Sequence, residues 1–92
     1  MFSAEIFGQR LRCARKACGE KQEELGLILG VGKSQVSEME RGTASTTLER
    51  FSLICEHYNV SADYLLGLTD EPKPYKRRKK GSFGKGAVSE AD

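Results

Sequence analysis

Apolar residues recur at offsets of three and four in four stretches of this chain and in a shorter fifth, and each stretch is closed by a glycine or an asparagine. That spacing gathers side chains on one side of a helix, whereas a strand alternates every second residue. Phe7, Leu11, Ala14 and Cys18, preceded by Ser3, predict a first helix over Ala4–Ala17 that stops at Gly19. Its other face carries Arg10, Arg12, Arg15 and Lys16 and reads as a solvated surface. Leu25, Ile28 and Leu29 predict a second helix over Gln22–Leu29. Gly30 can then take a left-handed backbone and turn the chain sharply through Val31 and Gly32. Val36 and Met39 point a third helix, Lys33–Arg41, inward and leave Lys33, Ser34, Ser37, Glu38 and Arg41 together on its outward face. Thr46 and Glu49 have the spacing of a capping box, which opens a fourth helix with Leu48, Phe51, Ile54, Cys55 and Tyr58 as its inward stripe and Asn59 as its stop. Ser61 caps a last short helix, Ala62–Leu66, that turns Leu65 and Leu66 to the core before Gly67. The expected fold is a compact all-α domain of five helices with short connections.

Length and charge divide the chain in two. Its 92 residues have room for one domain, expected over 1–70, and a tail over 71–92. Residues 1–70 hold eight Lys/Arg against ten Asp/Glu, net −2, while 71–92 hold seven against three, net +4. Pro72 and Pro74 followed by Lys76-Arg77-Arg78-Lys79-Lys80 and a Gly/Ser-rich end predict a disordered basic tail. A slightly acidic globular part argues against a protein that grips any polyanion by overall charge.

Several chemistries are excluded. No apolar run reaches the roughly 18 residues that cross a bilayer, and the start, MFSAEIFGQR, lacks a signal-peptide layout, so a cytoplasmic protein without a membrane partner is expected. Cys13, Cys18 and Cys55 lack C-x-x-C spacing, and His57 is the only histidine, which leaves no metal site and no nucleophile-base pair. Gly30-Val31-Gly32-Lys33-Ser34 ends like a phosphate-binding loop, but the first glycine of that motif would fall on Leu27. No enzyme, no cofactor and no small-molecule ligand are expected.

The stretch Gln22-Glu23-Glu24-Leu25-Gly26, Gly30-Val31-Gly32, Ser34-Gln35-Val36-Ser37-Glu38-Met39-Glu40-Arg41-Gly42 resembles the helix-turn-helix of the phage-repressor Cro/CI, or XRE-type, family, with similarity from about Phe7 to Leu66. The resemblance implies a lambda-repressor-like fold in which the second and third helices cross closely at Gly26, Gly30 and Val36. It also implies sequence-specific binding of double-stranded DNA as a transcriptional regulator, a repressor, with the helix over 33–41 in the major groove. By family position, Lys33, Ser34, Gln35, Ser37 and Glu38 would meet base edges, and Gln22, Arg41 and Thr43 would meet phosphates. Gln22 would also brace the recognition helix. Small members of the family bind palindromic operators as homodimers, for which Leu53, with Leu68, offers an exposed apolar contact. A different reading is a protein-interaction module of the same fold, antitoxin-like or regulatory, with little specific DNA binding.

This chain departs from the family at three capping or turn positions. Glu20 stands where a leucine is usual, and Lys21 where Ser or Thr would cap the second helix, a loss of about 1 kcal/mol. Glu24 can still reach back as half a capping box. Gly32 replaces a Ser or Thr cap at a cost of only a few tenths of a kcal/mol.

Overall fold

Ser3 accepts a hydrogen bond at Oγ from the Ile6 amide (3.2 Å), and from that cap α1 runs over Ala4–Ala17. The computed structural model describes residues 1–74; the remainder, including the basic run 76–80 and with it the expected disordered tail, lies outside the described residues. Four more helices follow among the described residues: α2 Gln22–Leu29, α3 Lys33–Arg41, α4 Leu48–Tyr58 and α5 Ala62–Leu66. Apart from the start of α4, their bounds are those that periodicity and stop residues predict. α3 packs across α1 and α2, α5 lies on α1, and α4 closes the other side against α2 and α1. No helix among the described residues is long and apolar enough to cross a membrane.

The core is Phe7, Leu11, Leu25, Leu29, Val36, Met39, Ile54, Cys55 and Leu65, with Val31, Phe51, Tyr58, Val60 and Tyr64 packed around it. Each fully buried Leu or Phe contributes about 1.5–3 kcal/mol relative to exposure, so a core of this size leaves caps and polar bonds a decisive share.

Ala14 and Leu66, also expected inward, are half-buried outside this cluster, and three expected inward residues are exposed. Ile28 and Cys18 are exposed. Leu48 keeps the register of its stripe, but it is 85% exposed because the first turn of α4 borders an open hollow lined by Phe2, Phe7, Thr46, Phe51 and Leu66.

The turn between α2 and α3 is tight for two reasons. Gly30 has φ 75°, and its amide donates to the Gly26 carbonyl. At Gly26 a Cβ would stand 2.6 Å from the Val31 carbonyl oxygen, so only hydrogen fits where α2 meets the turn. The turn is further held by Arg50 of α4, whose Nε donates to the Leu29 carbonyl (3.2 Å), one of the acceptors left open at the end of α2.

One cap follows expectation and another departs from it. Lys21 indeed has no acceptor, and the half box is present: the Lys21 amide donates to Glu24 Oε1 (2.6 Å). On α4 the cap is Thr47, not Thr46: Thr47 Oγ1 accepts from the Arg50 amide (3.1 Å). Thr46 Oγ1 is buried with no hydrogen-bond partner among the described residues. Thr47→Ala should therefore cost about 1 kcal/mol of unfolding free energy. Thr46→Val, which removes a buried hydroxyl without a partner, should be neutral or stabilising in the same urea titration. A larger loss at 46 than at 47 would reverse the assignment.

Arg10 is a clamp rather than a solvated charge. Its Nη1 donates to the carbonyls of Tyr64 (2.5 Å) and Thr69 (2.7 Å), and its guanidinium lies 4.3 Å from the centre of the Tyr64 ring. It thus fills the open carbonyls behind α5. Its bond to Asp70 (2.8 Å) adds little, since that carboxylate is fully exposed. The Ser61 amide donates to the Pro72 carbonyl (2.9 Å), so hydrogen bonds tie the segment after α5 back to the domain beyond residue 70.

Candidate nucleic-acid interface

α3 buries Val36, Met39 and Glu40, which turns its opposite side to solvent. Lys33, Ser34, Ser37, Glu38 and Arg41 line one polar concavity there, together with Gln22 from the first turn of α2. Six of the eight residues expected to touch DNA are thereby brought together. Gln35 is half-buried beside the concavity, and Thr43 sits past the end of α3, where its hydroxyl donates to the Glu38 carbonyl (3.1 Å).

The polar groups of the concavity are largely arranged in pairs. Arg41 Nη1 donates to Ser37 Oγ (2.6 Å), one turn back on the same helix. Lys33 Nζ lies 3.9 Å from Glu23 Oε2, with both side chains well exposed, so this pair restrains Lys33 only weakly. Glu38 has no hydrogen bond or ion pair at its carboxylate among the described residues; Arg41 turns to Ser37 instead. The concavity offers two cations, two hydroxyls, one carboxylate and one amide, a set that can both donate and accept at base edges.

Beneath this surface lies a polar seam. Arg15, expected on a solvated face, is 7% exposed, as is Glu40. Arg15 Nε donates to Glu40 Oε2 (2.6 Å) and Arg15 Nη2 to Glu40 Oε1 (3.0 Å), a two-pronged bond between α1 and α3. The bond with Glu40, working against burial, holds the Arg15 guanidinium above its ordinary pKa. Arg15 Nη1 donates to the Glu20 carbonyl (2.7 Å), and Gln22 Nε2 donates to Glu40 Oε1 (3.0 Å). A signal for the pair was present: Arg15 is four residues after Leu11, and Glu40 four after Val36, each on the inward stripe of its helix.

The seam continues to α4. Glu20 Oε1 accepts from the Tyr58 hydroxyl (2.6 Å), and Glu20 Oε2 bonds His57 Nε2 (2.5 Å). The carboxylate that replaces the usual leucine thus joins the α1–α2 loop to the end of α4. Burial pushes the Glu20 carboxyl up, but the bonds from Tyr58 and His57 outweigh it and leave the group below its ordinary 4.5. Tyr58 moves the opposite way, far above its ordinary 10.0, through burial first and then its bond to Glu20.

These directions predict a stability profile. For Glu20 the unfolded chain binds the proton more tightly, so its contribution is complete above the ordinary value and is lost as pH falls below it. For Tyr58 the unfolded chain gives up its proton first, so stability is lost as pH rises beyond 10.0. The melting temperature should be flat between about pH 5.5 and pH 9 and fall on both sides. Glu20→Gln should flatten the acid limb; an acid limb as steep as that of the unaltered protein would rule this account out.

The helix-turn-helix family model matches residues 11–65. The chain belongs to this family, the XRE or Cro/CI type. Among curated family relatives, the HTH-type transcriptional regulator YobD of Bacillus subtilis is 38% identical over 74 residues, which cover 80% of this chain and 66% of that protein. Antitoxin PezA of Streptococcus pneumoniae is 31% identical over 62 residues, covering 67% of this chain and 39% of that protein. The chain therefore spans just under two thirds of the first relative's length and well under half of the second's. Among solved structures, the P22 c2 repressor in complex with a synthetic operator superposes with a TM-score of 0.62 at 31% identity, covering 66% of this chain and 92% of that one. The family fold explains the concavity: α2 braces α3 through the seam while the outer side of α3 stays free.

Proposed function

We propose that this protein is a sequence-specific double-stranded DNA-binding transcription regulator, a cytoplasmic repressor, that places α3 in the major groove and binds a palindromic operator as a homodimer. The observation that carries this reading is the concavity itself. The outward residues of α3 and Gln22 of α2 form one exposed polar face, in a fold that the P22 c2 repressor presents to its operator. Lys33 would donate to guanine O6 and N7, and Glu38 would accept from cytosine N4, with Ser34, Gln35 and Ser37 beside them. Gln22, Arg41 and Thr43 would face phosphates. Leu53, 42% exposed on α4, and Leu68 supply apolar surface for the second copy.

The test is fluorescence anisotropy on a duplex obtained by selection from random sequence. Each good base contact contributes about 1–3 kcal/mol of discrimination, so Lys33→Ala with Ser34→Ala should reduce the preference for the selected duplex by tenfold or more. A preference that survives the double change would sink the assignment of α3 as the reader.

The likeness to an antitoxin and the net negative charge of residues 1–70 favour a second reading, a partner-binding module of the same fold. Binding to mixed genomic DNA with and without residues 71–92 separates the two. Affinity that resides wholly in the tail and lacks sequence preference would favour the partner module.

A further inference from the structure

Glu40 lies on the buried side of α3, yet one of its oxygens holds the side chain that reaches out to the concavity. We propose that Glu40 is a positioning residue for DNA binding: from inside the domain it orients the Gln22 amide for its phosphate before DNA arrives. The inference rests on the DNA-binding reading above.

Three observations carry it. First, Gln22 Nε2 donates to Glu40 Oε1 at 3.0 Å, and Gln22 also lines the concavity with Lys33, Ser34, Ser37, Glu38 and Arg41. One amide thus belongs to both the seam and the exposed face. Second, the carboxylate settles which way that amide points. A carbonyl oxygen turned toward Glu40 would meet only lone pairs, so the nitrogen must face inward. Its second hydrogen remains for an external acceptor. Third, Glu40 cannot swing away with Gln22. Arg15 grips both of its oxygens and is itself tied by Nη1 to the Glu20 carbonyl. A glutamine on the first turn of a helix otherwise samples many rotamers, and binding would have to freeze them. Here that ordering is done on folding.

The Arg15–Glu40 pair also supports the fold, so the test must separate positioning from stability. Arg15→Met with Glu40→Met removes both charges together and leaves net charge unchanged. Apolar replacement of a whole buried pair commonly preserves stability. We would compare the full chain, Gln22→Met, the Arg15→Met/Glu40→Met chain and the triple variant by anisotropy on the selected duplex, with melting curves for each.

Gln22→Met should weaken binding roughly threefold to tenfold, the size of one phosphate hydrogen bond, with base preference retained. The Arg15→Met/Glu40→Met chain should lose the same factor at an unaltered melting temperature, and the triple variant should bind no more weakly than either. The inference is overturned if the pair replacement binds like the full chain, or if the two losses multiply. Should the pair replacement fail to fold, Glu40→Asp, which keeps the charge but is one methylene shorter, enters the same cycle with the same expectations. A full chain that prefers no duplex at all overturns the DNA-binding reading itself, a result distinct from additive losses in a chain that binds.

Discussion

Glu40→Ala is expected to lower unfolding free energy by about 3–5 kcal/mol, enough to unfold much of a small domain at ambient temperature. The reason is the partner left behind. With Glu40 gone, Arg15 at 7% exposure keeps its bond to the Glu20 carbonyl but loses the carboxylate bonded to it, the Glu20 charge acting only as a weaker neighbour, and the guanidinium cannot shed its proton to escape. Gln22 loses its acceptor in the same step. Urea unfolding followed by far-ultraviolet circular dichroism measures the loss. Arg15→Ala should fall in the same range, and the double Arg15→Ala/Glu40→Ala should cost far less than the sum, because neither charge is then stranded. A loss below about 1 kcal/mol for Glu40→Ala would mean that the pair contributes as an exposed one does.

Gly8→Ala should destabilise by about 3 kcal/mol, although alanine is favoured over glycine in a helix interior by about 1 kcal/mol. On an open face the substitution would therefore stabilise, and the sign of the effect reports the packing. At Gly8 a Cβ would press on the Met39 carbonyl oxygen and stand 2.6 Å from the Glu40 carbonyl oxygen. Both obstacles are backbone at the end of α3, with no flexible side chain to yield. α1 would have to back away from α3, loosening the Arg15–Glu40 bond that spans the same interface. Thermal melting decides it: an unchanged or raised melting temperature would show that the two helices do not approach so closely. Gly19, where no atom lies near the place of a Cβ but φ is 71°, provides a control in which strain comes from the backbone alone.

Gly8 and the Arg15–Glu40 pair meet at one interface, between α1 and α3, and that interface also holds the outward face of α3 in place. α3 is only nine residues long, too short to be stable by itself. Its outward side chains can form a fixed pattern only because its inward side is held by Val36, Met39 and the Glu40 seam. Stability of the seam and geometry of the concavity are therefore one physical problem.

The helices and their order were legible in the chain because the signals are local. Offsets of three and four mark the buried stripes, while Gly30, Gly42 and Asn59 take left-handed conformations that end helices. The outward set on α3 followed from the same periodicity. Where local signals competed, they misled. Thr46 and Thr47 both suit a cap, and only the fold decided that Thr46 turns into the apolar hollow while Thr47 caps. Leu48 matches its stripe, but nothing local reveals that α4 begins at the edge of the domain.

The sequence by itself determined where each helix stops and, apart from α4, where it starts, which side of it is apolar, and that a polar set faces outward from α3. Only the tertiary structure decided which charges are interior. The stripe positions of Arg15 and Glu40 do not by themselves bury two charges, and Glu20 ends half-buried, because burial of a charge depends on its partner, and the partners lie 25 residues away for Arg15 with Glu40 and 38 for Glu20 with Tyr58. The close approach at Gly8 is likewise invisible along the chain, since a missing side chain carries no pattern until another backbone is laid against it.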